Sequence, residues 1–298
     1  MTRGIALIAI GGVGYLRWTV NQAASLKFHS PDVAIQLIVS EELSAEAKSY
    51  PQLFDIFTVV KNNYWQDEKG RLFPAKLKTS FYSLLYFDET IYLDVDGVTL
   101  KDIKPLFEQT EDLVTDVQGV YDLSQGEIFN HLKWAKPADI WFHFGLKANA
   151  KLPAINSSFL FIRKGERVKA IFDLAHELLM KNPLPYEKHW YVWGRKRDHK
   201  VSQPDELYIN VAMAMLDFIP AHQVAIYFRM VNEKTLPPDA ETIKEKFYGL
   251  GLFGQLETNY RANREIYDNE AKKCYQALVG PYFQSFCETL AHSKFAVI

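Results

Sequence analysis

Cysteine is nearly missing from this chain. Its 298 residues include two, Cys274 and Cys287, at a spacing that matches no metal-ligand motif, so a disulfide scaffold is excluded and a reducing, cytoplasmic setting is expected. A dominant charge is missing too. The 34 basic and 36 acidic residues nearly cancel, which removes global attraction to nucleic acid or to an anionic membrane and leaves only local patches. The N-terminal apolar run from Ile5 to Val13 is far short of the roughly 20 residues that a membrane span needs, is broken by glycines and lacks a cleavage site, so no span and no leader is expected. Repeats and low-complexity tracts are absent. What is present, 48% hydrophobic and 14% aromatic residues, suffices for one large α/β domain or a domain with an appendage.

The chain opens in a βαβ rhythm. Gly4 to Ile10 is a continuous apolar run closing on Gly11-Gly12-Val13-Gly14-Tyr15, and Leu16, Val20, Ala23, Ala24 and Phe28 follow at helical spacing. Strand, glycine loop and helix in that order suit a nucleotide. A dinucleotide fingerprint would want another glycine where Arg17 stands, so an NAD-dependent oxidoreductase using Gly12 and Gly14, with Glu41 or Glu42 on the ribose, is an incomplete match. Ala34 to Val39 predicts a second strand, with Ser44 placed to cap a short helix, and Ile56 to Val60 a third. Leu77, Phe81 and Leu85 predict a helix within 75–86, and Leu100 to Phe107 a short one. Further strands are predicted at 117–123 and 155–162. A helix follows on Val168, Ile171, Phe172, Ala175, Leu178 and Leu179. The aromatic-rich stretch from Trp134 to Phe144 resists assignment. Ser202-Gln-Pro-Asp-Glu206 reads as a helix start, with a capping Ser, an early Pro and acids in the first turn. A polar helix is predicted from about Glu257 to Leu278. A domain break near 220 would divide the chain into 1–220 and a C-terminal strand and helical extension, 221–298, packed on the same domain.

The most informative stretch is Thr90-Ile-Tyr-Leu-Asp-Val-Asp-Gly97. Read as one buried strand, it carries Asp94 and Asp96 on the same side, because side chains in a strand repeat every two residues. Paired carboxylates at the end of a central strand suit a hard divalent cation, Mn²⁺ or Mg²⁺, that also binds phosphate oxygens.

In this order the parts resemble the GT-A fold glycosyltransferases, a Rossmann-like α/β fold with a mixed sheet and flanking helices. Within them the chain is most similar to family 8, the retaining enzymes that include glycogenin and lipopolysaccharide galactosyltransferases. The resemblance spans roughly Ile5 to Phe218. Tyr92-Leu-Asp-Val-Asp96 resembles the metal-binding Asp-x-Asp strand. Ala75-Lys-Leu-Lys78 resembles the Ala-Arg-Leu-Lys segment, with Lys76 where an Arg contacts the donor diphosphate. Asn156-Ser-Ser158 resembles the Asn-x-Gly segment near the donor sugar. Asp205-Glu-Leu-Tyr-Ile-Asn210 resembles Asp-Gln-Asp-x-Leu-Asn, and Tyr15 falls at an early Tyr near the nucleobase. The resemblance implies transfer of a sugar from a nucleotide-diphosphate donor, a UDP-sugar or similar, to an acceptor hydroxyl, with retention. It implies metal at Asp94 and Asp96, donor binding by Ile10, Gly11, Gly12, Tyr15, Lys76, Asp94, Val95, Asp96, Asn156 and Ser157, and catalytic roles for Asp205 and Glu206.

Three departures stand out. The family's Asp near the base is replaced by Gly11-Gly12-Val13. The late His-x-x-Gly-x-x-Lys-Pro-Trp motif, a source of a third metal ligand, is met only by Lys246-Phe-Tyr-Gly249. Glu206 replaces a Gln. The second departure keeps a degenerate GT-A binding module open as an alternative. Between Tyr186 and Lys200, Trp190, Tyr191 and Trp193 alternate with Lys188, Arg195, Lys196 and Arg197, a mixture on which a glycan or a nucleic-acid acceptor would stack and pair. Trp190, Trp193, Arg195 and Arg197 are the candidate acceptor residues. Oligomeric state stays open.

Overall fold

The computed structural model describes residues 1–122, 135–185, 203–222, 227–228, 240–251 and 261–283. In chain order the elements are β1 (Arg3–Ala9), α1 (Val13–His29), β2 (Ile35–Ser40), α2 (Glu41–Ala47), β3 (Ile56–Val60), α3 (Pro74–Ser80), β4 (Glu89–Leu93), β5 (Gly97–Thr99), β6 (Leu113–Asp122), α4 (Pro137–Phe144), β7 (Lys151–Arg163), α5 (Glu166–Lys181), α6 (Asp205–Met215), β8 (Ala221–His222), β9 (Tyr227–Phe228), α7 (Ala240–Lys246), β10 (Gly249–Gly251) and α8 (Arg261–Leu278). They fall into two compact units. The first takes Met1–Lys61, Tyr86–Thr110 and the described residues of Val224–Ile298, and the second takes Asn62–Leu85 and the described residues of Glu111–Gln223. Of the residues that the sequence sets off as an extension, Ala221 and His222 fall in the second unit and the described ones from Tyr227 on fall in the first with the N-terminal residues. Among the described residues no helix is long and apolar enough to cross a membrane.

In the first unit four parallel strands run in the order β3, β2, β1, β4. The largely apolar β1, β2 and β4 are buried on both faces, with Ile5, Leu7, Ile35, Leu37 and Ile91 fully buried, whereas the edge strand β3 is only partly buried. Gly11 has φ +85°, a left-handed conformation that glycine adopts without strain, and it turns the chain from β1 into α1. Gly4 is needed for a different reason, since a Cβ there would stand 2.2 Å from the Phe87 ring. Helix α1 is buried on nearly every side, from Leu16 through Leu26. It borders β1 and also a second core, in which its Trp18 meets Val98 and Leu100, Ile243 of α7, Leu250 of β10, and Tyr267 and Ala271 of α8. That core is floored by a small sheet, β5 antiparallel to β10 and β10 parallel to β9.

The stretch predicted as one strand carrying the acidic pair is therefore two strands of different sheets. Pairing in β4 stops at Leu93, Val95 and Asp96 form a bend, and β5 begins at Gly97. Strand alternation does not place Asp96. The predicted cap at Ser44 also differs: Ser44 lies inside α2, where its hydroxyl donates to the Glu41 carbonyl at 2.9 Å, and Ser40 stands at the N-cap position.

In the second unit β6 pairs antiparallel with β7 and parallel with β8. Helix α5 buries the apolar stripe predicted for it, Val168, Ile171, Phe172, Ala175, Leu178 and Leu179, and Phe172 receives Phe81 edge-on and Tyr82 stacked. The unassigned aromatic stretch contains α4, started by Pro137 and stopped at Gly145 with φ +62°. The β6–β7 register jumps between Thr115, opposite Leu160, and Asp116, opposite Asn156. Residues 157–159 thus bulge from the ladder. The Thr115 hydroxyl lies 3.0 Å from the Asn156 carbonyl and 2.9 Å from that of Phe159, plugging the bulge.

Candidate functional site

In an open parallel sheet the ligand position lies beyond the strand C-termini where the strand order reverses. In the first unit this point falls between β1 and β4, since the chain runs outward from β1 to β3 and returns on the other side of β1. The register pairs Ala6 with Tyr92, so Ile10-Gly11-Gly12 and Asp94-Val95-Asp96 leave neighbouring strands at the same sheet edge. All three residues of the acidic bend are half-buried. Tyr15 and Val95 both pack at the border of the Trp18 core, and Tyr15 meets Trp18 edge-on with ring centroids 5.1 Å apart. The structure therefore brings together the predicted donor residues Ile10, Gly11, Gly12, Tyr15, Asp94, Val95 and Asp96. Helix α1 begins just behind the loop with no side-chain cap, an arrangement that favours an anion near its N-terminus.

Two residues that sequence reasoning did not single out join this edge. The Tyr92 hydroxyl donates to Asp94 Oδ1 at 2.5 Å. From α8, Tyr267 lies close enough to Asp96 to feel its charge; burial, with that charge a lesser contributor, pushes the Tyr267 phenol above its ordinary value.

Asp94 and Asp96 are hard oxygen donors at a half-buried bend, and this chemistry fits Mn²⁺ or Mg²⁺. Among the described residues neither carboxylate belongs to a convergent group of three metal-ligand side chains; the group of that kind is His29, Glu270 and Cys274. That cluster is a poor cation site, because the Lys273 and Lys244 ammoniums stand 3.4 and 3.7 Å from Glu270 and already supply the positive charge. Burial and the Glu270 charge push the Cys274 thiol up to about 12, so it is not a ready thiolate.

The second unit assembles the predicted residues Asn156, Ser157, Asp205 and Glu206 around the β7 bulge. The bulge takes the Ser157 N–H out of the ladder, and a buried N–H needs an acceptor. Glu206 Oε1 accepts it at 3.1 Å. The Ser157 hydroxyl donates to Asp205 Oδ2 at 2.8 Å, Asn156 Oδ1 accepts the Ser158 N–H at 3.0 Å, and one turn along α6 Asn210 Oδ1 accepts the Ile155 N–H at 3.3 Å. The first turn of α6 is thus fastened to β7 by side chains. Its two acids differ in setting, with Glu206 buried at 7% exposure and Asp205 half-buried.

Lys76 and Lys78 diverge, since residues two apart on a helix are separated by about 200°. Lys76 Nζ donates to the Gln66 carbonyl at 3.2 Å, while Lys78 Nζ lies 3.8 Å from Asp205 Oδ2. Lys78 was missed by the motif comparison; helical periodicity was the available signal. His176 of α5 sits at 3.0 Å from the Thr79 hydroxyl. Burial and the nearby Lys76 charge hold its imidazole below the ordinary value. Trp190, Trp193, Arg195 and Arg197 lie outside the described residues.

No family model and no curated protein matches the chain. Solved structures do. The galactosyltransferase LgtC, in complex with donor and acceptor sugar analogues, matches at 15% identity and a TM-score of 0.54, over 91% of this chain and 95% of that one. An active-site mutant of LgtC matches at 14% identity and TM-score 0.54, over 93% and 96%. The bifunctional glycosyltransferase WbbM matches at 8% identity and TM-score 0.56, over 92% of this chain but 51% of its own length. The mixed α/β architecture is shared across nearly the whole chain, and its fold is that of the GT-A glycosyltransferases.

Proposed function

We propose that the chain is a glycosyltransferase that moves a sugar from a nucleoside-diphosphate donor, a UDP-sugar, to an acceptor hydroxyl with the help of Mn²⁺ or Mg²⁺. The observation that carries this reading is the acidic bend, Asp94-Val95-Asp96, at the strand-order reversal of a sheet whose fold is that of LgtC. At this edge Ile10 to Gly12 would follow the nucleotide with backbone groups and Tyr15 would support its base. A cation held by Asp94 and Asp96 would offset the negative charge that grows on the departing diphosphate.

In the second unit Lys76 is assigned to the diphosphate, and Asn156 and Ser157 to the sugar. Asp205 is the acid assigned to the reacting carbon, where positive charge develops in the transition state and a carboxylate is favourable. Glu206 was expected to share this role. Its buried position and its bond to the Ser157 N–H support a different assignment, the acceptor that keeps the bulge and hence Ser157 in place. With retention, the acceptor hydroxyl would attack from the leaving-group side. The acceptor is a glycan or a nucleic acid, and Trp190, Trp193, Arg195 and Arg197 are the residues assigned to it.

A thermal-shift panel of UDP-, GDP- and ADP-sugars and NAD, each with and without Mn²⁺, tests the reading on the wild type, Asp94→Asn and Asp96→Asn. Stabilisation by one UDP-sugar is expected, dependent on Mn²⁺ and lost in both variants, together with release of UDP on turnover. Stabilisation by NAD, or a UDP-sugar effect that is indifferent to Mn²⁺ and to both substitutions, would overturn it. Binding without any UDP release would make the chain a binding module.

A further inference from the structure

The Tyr92 phenol is more than filling for the core. Its residue is 2% exposed, in β4 beside Ala6 of β1, and a buried phenol hydroxyl needs a partner. Here the partner is Asp94 Oδ1, at 2.5 Å. Phenylalanine would fill the same space, so Tyr92→Phe keeps the packing and removes the hydroxyl's bond to Asp94. The bond reaches across the end of the strand. Ladder pairing in β4 stops at Leu93 and the chain bends at Val95 and Asp96, so Asp94 is the first residue past the region where pairing fixes the backbone. A tether from the rigid strand to that residue's carboxylate restores the orientation that pairing no longer provides.

We propose that Tyr92 is a positioning residue for a divalent cation at Asp94, an inference that rests on the metal-binding reading of the acidic bend. Donation to Oδ1 fixes the plane of the carboxylate, sets the direction in which Oδ2 points and draws charge out of the group. Such outer partners of metal ligands typically govern affinity by about 10- to 100-fold. Tyr92 touches neither donor nor acceptor in this role. It acts through Asp94.

The test is Tyr92→Phe beside the wild type and Asp94→Asn. Mn²⁺ is titrated alone, and again with UDP present, by the loss of the free-ion electron paramagnetic resonance signal, and melting temperatures and UDP affinity in EDTA are recorded. In Tyr92→Phe the Mn²⁺ Kd is expected to rise about tenfold or more, with melting temperature and metal-free UDP affinity near wild type. A Kd within twofold of wild type would overturn the inference while leaving the acidic bend as a metal site. A wild type that takes up no Mn²⁺ under either condition would overturn that reading and this inference together. If Tyr92→Phe does not fold, a ring-fluorinated tyrosine at position 92, which keeps the shape and alters the donor strength of the hydroxyl, must change the Mn²⁺ Kd.

Discussion

Glu270 offers a prediction whose size follows from its surroundings. Its side chain on α8 is 8% exposed. It accepts from His29 Nε2 at 2.9 Å, and the ammoniums of Lys273 and Lys244 lie 3.4 and 3.7 Å away. Burial alone would raise its pKa. The His29 bond and the two ammoniums outweigh burial and hold it at about 2, against 4.5 for an ordinary Glu. A carboxyl whose folded value lies below its unfolded one stabilises the protein at pH above the unfolded value, and the contribution is lost as pH falls through the folded one. The window is therefore pH 4.5 down to about 2. At about 1.4 kcal/mol per tenfold change in proton affinity, the span is worth about 3 kcal/mol. Lys273 is half exposed and its share is partly screened, so roughly 2–3 kcal/mol is expected for Glu270→Gln at pH 7 and low salt. Glutamine keeps the volume and a carbonyl for His29, which isolates the charge. Urea unfolding of both proteins from pH 7 to pH 2 should show this gap at neutral pH and its steady closure below pH 4.5. No gap at pH 7, or a gap undiminished near pH 2, would refute the electrostatic account.

Three further outcomes follow from geometry. Gly4→Ala should cost about 1–3 kcal/mol, the usual penalty for overpacking, because its Cβ would stand 2.2 Å from the buried Phe87 ring; a denaturant midpoint equal to wild type would show that the ring can give way. Asp205→Asn should lower kcat by about 10² or more at nearly unchanged donor affinity, the pattern of an interaction made mainly in the transition state, whereas Glu206→Gln, which keeps an acceptor for the Ser157 N–H, should cost less than tenfold in kcat and under about 1 kcal/mol in stability; steady-state kinetics and melting curves on both variants decide it, and a larger kcat loss in Glu206→Gln would return that residue to the reacting carbon.

The parts that sequence reasoning reached are those whose cause is local. Strand β1, the left-handed Gly11 and helix α1 follow from an apolar run, a glycine and a 3.6-residue spacing that the structure repeats almost residue for residue. The stripe on α5 was legible for the same reason. The stretch from Thr90 to Gly97 was misread as one strand because continuous burial carries no mark of where a strand changes partners. Leu93 and Val98 are both buried, yet they belong to different sheets. The candidate site was legible in part. Asp94 and Asp96 announced themselves as carboxylates delivered by an apolar run, but Tyr92 read as core, since nothing in a one-dimensional pattern distinguishes a phenol that packs from a phenol that also donates.

Glu206 shows the same limit from the other side. An acid in the first turn of a helix is ordinarily a solvated group favoured by the helix dipole, and the family pattern offered a catalytic alternative. The structure supports a third role, set by a residue 49 positions away. The bulge that strips Ser157 of its ladder partner arises where Thr115 and Asp116 pair with residues on either side of it, a long-range event with no sequence period. Once the N–H is orphaned and buried, an acceptor beside it stabilises the fold by avoiding the roughly 1–3 kcal/mol cost of an unmet donor. Either a carboxylate or a side-chain amide can serve. The exchange of Gln for Glu at this position is therefore compatible with an unchanged architecture, and Asp205, half-buried where Glu206 is buried, is the more accessible acid on that turn.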